Sequence, residues 1–155
     1  MAPFVRTQSL LHPVWSYSLV IGQFLLIGLL FLTVNPLPLP TWAGASMFAA
    51  LILGLWAVKT MHLGHFNIVP DPMPDLNLVS TGPYRWIRHP MYASLLLFFL
   101  PWPLLQTSLW SIALYFALWV VLLLKLHYEE FLLCQTLKDY PLYQKRSKKL
   151  LPYLF

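Results

Sequence analysis

Residues Ser108 to Leu126 read SLWSIALYFALWVVLLLKL and run directly into His127-Tyr128-Glu129-Glu130. This run of 19 residues holds a single charge, Lys125, next to its end. A helix rises about 1.5 Å per residue, so such a run crosses the roughly 30 Å apolar core of a bilayer. Three similar runs precede it. Ser16 to Val34 has 19 residues without charge, Thr41 to Leu63 has 23 with Lys59 near its end, and Met91 to Leu105 has 15. A span needs about 20 residues, so the Met91 run is short. Pro101 and Pro103 close to its far end predict a helix that stops or kinks there. The pattern predicts an all-α integral membrane protein forming a single domain over 1–155. About four transmembrane helices fall near 16–34, 41–63, 91–105 and 108–126.

Composition excludes the other classes. The 155 residues are 59% hydrophobic and only 10% charged, against roughly 25% charged in a soluble domain. So much apolar surface also excludes a disordered chain. Cys134 is the single cysteine, which removes a disulfide framework or a cysteine-rich metal site. His62, His65, His89 and His127 follow no HExxH or paired-ligand spacing, so no metal is expected. The first run is long for a signal peptide and the segment before it holds only Arg6 as a charge, so it is expected to stay as a span.

Ten Lys and Arg against five Asp and Glu give +5, which in a membrane protein is a topology signal before it is a nucleic-acid signal. No nucleic-acid partner is expected. The connections NPLPLP, Asn35 to Pro40, and Gln106-Thr107 carry no charge. Every Lys and Arg lies in the tails, in the Gly64–His89 loop, or in the last turns of the second and fourth runs. Four spans put all these regions on one side, which the positive-inside rule makes cytoplasmic, with both termini there. Val69 to Asn77, VPDPMPDLN, reads as irregular loop. The tail YPLYQKRSKKLLPYLF alternates aromatic and basic residues, which suits an interfacial helix against anionic headgroups.

Charges near a bilayer need a reason. Lys59 and Lys125 can snorkel to the interface, and Lys125 is also spaced to pair with Glu129 one turn on. Glu130 projects elsewhere, towards solvent or the loop. Two adjacent carboxylates at the mouth of a helical bundle suit an ammonium group. The densest cluster is LVSTGPYRWIRHPMY, Leu78 to Tyr92. Gly82-Pro83 is a turn signal, and Pro90 suits the first turn of a helix with His89 at its cap. Such a helix start welcomes an anion, and Arg85 and Arg88 strengthen the field.

The order of these pieces is specific: Gly82-x-Tyr84-x-x-x-Arg88-His89-Pro90-x-Tyr92, a helical hairpin, Glu129-Glu130, then Tyr140-x-x-Tyr143, basic residues and Leu151-Pro152. From about Leu76 to Pro152 the chain resembles the isoprenylcysteine carboxyl methyltransferase family, a broad group that includes phospholipid N-methyltransferases, in its minimal prokaryotic form. The resemblance implies S-adenosylmethionine as cofactor, held within residues 76–152 and closed in by the tail. The matching cofactor-binding positions are Leu76, Asn77, Leu78, Val79, Tyr84, His89, Pro90, Met91, Tyr92 and Glu129. Eukaryotic members carry an arginine facing the substrate one turn before the acidic pair. Lys125 stands there in this chain, and a lysine lacks the arginine fork that grips a carboxylate on two bonds. That departure weighs against a prenylcysteine substrate.

The chemistry of the residues runs parallel to the resemblance. The acidic pair suits the cofactor's ammonium, the helix start with His89 its carboxylate, and the aromatic rings its sulfonium and adenine. No G-x-G-x-x-G follows a strand, so a Rossmann site is excluded. The expected partners are the bilayer and a lipophilic acceptor entering from it, whose polar end Lys125 orients. Glu130 and Arg88 are further catalytic candidates. The acceptor group is left as carboxyl, amine or thiol: a carboxylate or thiolate needs no base, and an amine would need one, for which Glu130, Tyr92 and His89 all remain candidates. Two other readings stand beside this one: a nicotinamide-dependent reductase of the sterol-reductase type, which shares an Arg-His-Pro-x-Tyr-like segment, and a non-catalytic lipid-binding or scaffold subunit. Oligomeric state is left open.

Overall fold

The structure is a computed structural model that describes residues 13–33, 38–61 and 78–152. The described residues form helices and turns: α1 (Pro13–Leu32), α2 (Thr41–Met61), a 3₁₀ turn (Gly82–Arg85), α3 (Pro90–Phe99), α4 (Pro101–Gln106), α5 (Leu109–Thr136) and α6 (Tyr140–Arg146). α1, α2 and α5 are long and apolar enough to cross a bilayer, and Pro90–Gln106 forms a shorter apolar helical segment. The chain is thus an all-α membrane protein. Large apolar side chains such as Ile21, Phe24, Leu55, Trp110 and Phe116 stand exposed on the helices, as they must where lipid is the solvent.

The expected break in the third run falls at Leu100, which joins α3 to α4 just ahead of Pro101. Thr107 then takes a left-handed conformation, φ 45°, and turns the chain back into α5. α5 runs ten residues beyond the apolar run that announced it, to Thr136. The polar HYEE segment therefore continues the helix and keeps its side chains in helical register.

Two helix pairs build the body. α2 packs on α3 through a face of small residues. Ala43, Ala50 and Ala57 are buried, Ser46 Oγ donates to Leu97 O at 3.0 Å, and a Cβ on Gly54 would meet Ser94 Oγ at 3.1 Å. Without a hydrophobic force between helices in lipid, such close backbone approach supplies the packing. α1 packs on α5 along Ser16, Leu19, Gln23 and Leu30, all buried and spaced as one helical stripe. The shared core joins Leu30, Leu96, Phe99, Trp102, Leu114, Leu118, Leu122 and Leu126.

Candidate active site

The site lies where the start of α3 meets the second half of α5. His89 caps α3 and Pro90 opens it, as the sequence indicates. His89 is buried, and its ring stacks on Tyr92 at 5.3 Å with the planes 1° apart. Its Nε2 lies 3.2 Å from Glu130 Oε1, and its Nδ1 3.7 Å from Glu129 Oε2. The imidazole is thus wedged between the two carboxylates, which helix geometry turns about 100° apart.

Those carboxylates live in different surroundings. Glu130 has a side chain only 9% exposed. Arg88 Nε donates to its Oε1 at 2.5 Å, and Gln144 Nε2 to its Oε2 at 3.3 Å. Of the two directions open to it, Glu130 takes the one towards the loop. Glu129 is 27% exposed and accepts from Tyr92 Oη at 2.8 Å through Oε2. Its Oε1 has no hydrogen-bond partner among the described residues.

Lys125 departs from both sequence readings. It neither snorkels nor joins Glu129: it is 3% exposed, and its ammonium donates to Gln23 Oε1 of α1 at 2.9 Å. The same ammonium sits 5.4 Å from the centre of the Tyr92 ring. Lys59, by contrast, ends α2 on an exposed position, as snorkelling requires. Gln23 was not singled out in the sequence. The available signal was its amide, the one Asn or Gln in the whole Ser16–Val34 run, since a polar side chain inside a membrane helix asks for a partner.

The tail closes this end of the molecule. The Arg88 guanidinium also donates to the carbonyls of Gln144, at 3.1 Å, and Ser147. Arg88 N donates to Lys148 O at 2.7 Å, His89 N to Lys149 O at 3.1 Å, and Lys148 N to Trp86 O at 3.0 Å. Tyr143 Oη donates to Tyr84 O at 2.6 Å. Tyr84 itself is buried and turns its hydroxyl to Met61 Sδ at 3.6 Å. Burial pushes the Tyr84 and Tyr140 phenols well above their ordinary range and that of Tyr143 up to about 12, so all three remain neutral phenols.

Of the positions named from the sequence, Tyr84, Arg88, His89, Pro90, Met91, Tyr92, Lys125, Glu129 and Glu130 gather in this region, with Leu78 and Val79 on the approach to the 3₁₀ turn. Leu76 and Asn77, with His62 and His65, lie outside the described residues. Arg88 is absorbed in holding the tail, and of the ring nitrogens of His89, Nε2 is hydrogen-bonded to Glu130 while Nδ1 faces Glu129.

Fold and site together define a helical membrane protein with an ion-paired, tail-covered cluster at the helix ends. Comparison with known sequences makes this specific. The profile of the phospholipid methyltransferase family matches residues 39–139, more than half of the chain and the segment that contains α2, the 3₁₀ turn, α3, α4 and α5. The chain belongs to the phospholipid methyltransferase family. A relative from Bacillus subtilis (strain 168), bearing the name uncharacterized protein YpbQ, is 33% identical over 79 residues, which is 50% of this chain and 46% of that protein. The match thus spans about half the length of that relative.

Proposed function

We propose that this chain is an S-adenosylmethionine-dependent methyltransferase that modifies a lipophilic acceptor in the membrane, built like the minimal isoprenylcysteine carboxyl methyltransferases. The observation that carries the reading is Glu129: a partly exposed carboxylate, pinned by Tyr92 and facing His89, one turn from a buried lysine, inside the family-matched segment. A carboxylate fixed on one oxygen and open on the other suits an ammonium, and the stacked His89–Tyr92 pair beside it offers an aromatic face to a sulfonium. These residues fit the cofactor, with Tyr84 and the Leu78–Val79 approach completing its surroundings.

When bound, the cofactor supplies a methyl group already activated by a positive sulfur. The protein's share is then alignment and exclusion of water, and alignment is worth about 7–11 kcal/mol. Glu129 holds the cofactor's ammonium, Lys125 orients the acceptor, and the docked tail keeps water out. A single-domain organisation over 1–155, with 76–152 as the cofactor region, is part of this proposal, and the cluster that joins the tail to α5 supports it. The basic residues on the loop and both tails support a cytoplasmic position for the site and both termini. Calorimetric titration of the purified protein with S-adenosylmethionine and with its demethylated product tests the reading. Binding of both is expected; no heat from either would sink it.

A further inference from the structure

We infer that the docked tail carries a second, outward face that binds the anionic phospholipid headgroups of the surrounding leaflet, and that this contact holds the tail closed over the ion-paired cluster. The inference goes beyond the methyltransferase reading and does not rest on it.

Three observations carry it. First, the tail divides its residues by face. Its inner side is engaged: the Lys148 and Lys149 carbonyls accept from Arg88 N and His89 N, the Gln144 and Ser147 carbonyls accept from the Arg88 guanidinium, and Tyr140, Ser147 and Leu150 are buried. Its outer side presents Lys145, Arg146 and Lys148, all exposed. The side chains of these three make no hydrogen bond or ion pair among the described residues. Second, the carboxylates nearby do not balance them. Glu130 is turned onto Arg88 and His89, Glu129 onto Tyr92 and His89, and Asp139 stands at the other end of α6. Crowded like charges repel one another and gain from a negative surface, where each Lys or Arg is worth about a fivefold factor. Third, the cations lie at the level of the headgroups. The bridge between Ile87 and Lys148, with Lys148 N donating to Trp86 O at 3.0 Å, sets Lys148 beside Trp86. Trp86 is 45% exposed, is preceded by exposed Arg85, and meets the exposed Trp56 of α2 edge-on with ring centres 5.9 Å apart. Tryptophan near the end of an apolar helix marks the boundary between acyl chains and headgroups. Leu142 and Leu151 are exposed as well, so apolar and cationic side chains share this surface, as insertion at a leaflet requires. Arg88 thus draws the tail in from one side, and the headgroups hold it from the other.

The test reconstitutes the full chain in nanodiscs of phosphatidylcholine alone and of phosphatidylcholine with about a third of phosphatidylglycerol. Opening of the tail is read as amide hydrogen exchange at Arg88 and His89, whose acceptors are the Lys148 and Lys149 carbonyls. The Tyr84 and Trp86 amides, which donate to Thr81 and Pro83, serve as the reference for exchange conditions at that depth. Relative to this reference, exchange at Arg88 and His89 should be at least about tenfold slower in the anionic discs, the part of three fivefold factors that survives screening. Lys145→Gln/Arg146→Gln/Lys148→Gln should exchange like the unaltered chain in neutral discs and lose most of the slowing in anionic ones. Salt at about 1 M, where the Debye length falls to roughly 3 Å, should erase the slowing.

Equal exchange in the two kinds of disc overturns the proposal, as does a triple variant that keeps the slowing. A triple variant that exchanges faster already in neutral discs overturns it too, because the cations would then hold the tail from within the protein. Slowing by inorganic phosphate in neutral discs would assign the patch to free anions and refute the lipid surface. Cofactor takes no part in the readout, so failure here leaves the methyltransferase reading standing.

Discussion

Arg88→Met tests how the tail is held. Its guanidinium is 7% exposed and serves three partners at once: the Glu130 carboxylate and the carbonyls of Gln144 and Ser147. Removing it leaves the Glu130 charge buried with His89 and Gln144 as its remaining partners. Breaking a buried ion pair from one side costs about 3–5 kcal/mol, because the surviving charge keeps its desolvation penalty. At about 2–4 °C per kcal/mol for a chain of this size, the midpoint of thermal unfolding in detergent should fall by roughly 6–20 °C. The loss falls first on the segment Arg88 grips. Trypsin cleavage within Lys145–Lys149 should therefore accelerate by about a hundredfold or more, since each 1.4 kcal/mol is about a factor of ten in the open population. Arg88→Met/Glu130→Met removes both charges and should recover a substantial part of the midpoint. A single variant that melts within about 2 °C of the unaltered chain, or a double variant no better than the single, would refute this account.

Three further outcomes follow from the same geometry. Glu129→Ala should weaken binding of the demethylated cofactor much more than Lys125→Ala, because Glu129 is assigned to the cofactor and Lys125 to the acceptor; equal losses in calorimetry would reject that division. Gly82→Ala should destabilise by about 1–2 kcal/mol or more, read as a lowered unfolding midpoint, because Gly82 has φ 56° and a Cβ there would lie 2.6 Å from Thr60 Oγ1. The third concerns alkaline pH. With Tyr143 raised to about 12 and Tyr84 and Tyr140 raised as well, folding favours the neutral phenols. Their contribution is complete below an ordinary tyrosine pKa of about 10 and is lost as pH rises towards 12. Protection of the tail from proteolysis should decline over that window, and Tyr143→Phe should flatten part of the decline.

The helices were legible because each is written locally. Run length gives the long apolar helices, Pro101 and Pro103 give the break, and His89-Pro90 gives the start of α3. The members of the site were legible too, through the order of the Arg88-His89-Pro90-x-Tyr92 segment and the acidic pair. What each member touches was not. Lys125 meets Gln23 across 102 positions, Arg88 meets Glu130 across 42, and the isolated parallel bridge joins Ile87 to Lys148. Spacing along one helix offered Glu129 as the partner of Lys125, and in the fold that role is taken by a neighbouring helix. Gln144 was overlooked for the same reason: nothing near it in the chain signals that it bridges Glu130 and Cys134.

Two adjacent glutamates invite a single function, and the fold divides them. One helical step turns Glu130 onto Arg88, His89 and Gln144, where both its oxygens are taken. The same step leaves Glu129 facing Tyr92 and His89, half-buried and with one oxygen spare. Glu130 therefore fastens the tail and orients His89, and Glu129 keeps the free oxygen that the proposed cofactor site calls for. His89 touches both, so the closure of the tail and the set of the ligand carboxylate are mechanically joined through one imidazole. The consequence separates two kinds of damage that an activity assay would confuse. A change at Glu129 should lower cofactor affinity with the tail still protected from trypsin. A change at Glu130 should expose the tail first, with affinity falling in proportion to the fraction of molecules whose tail is open.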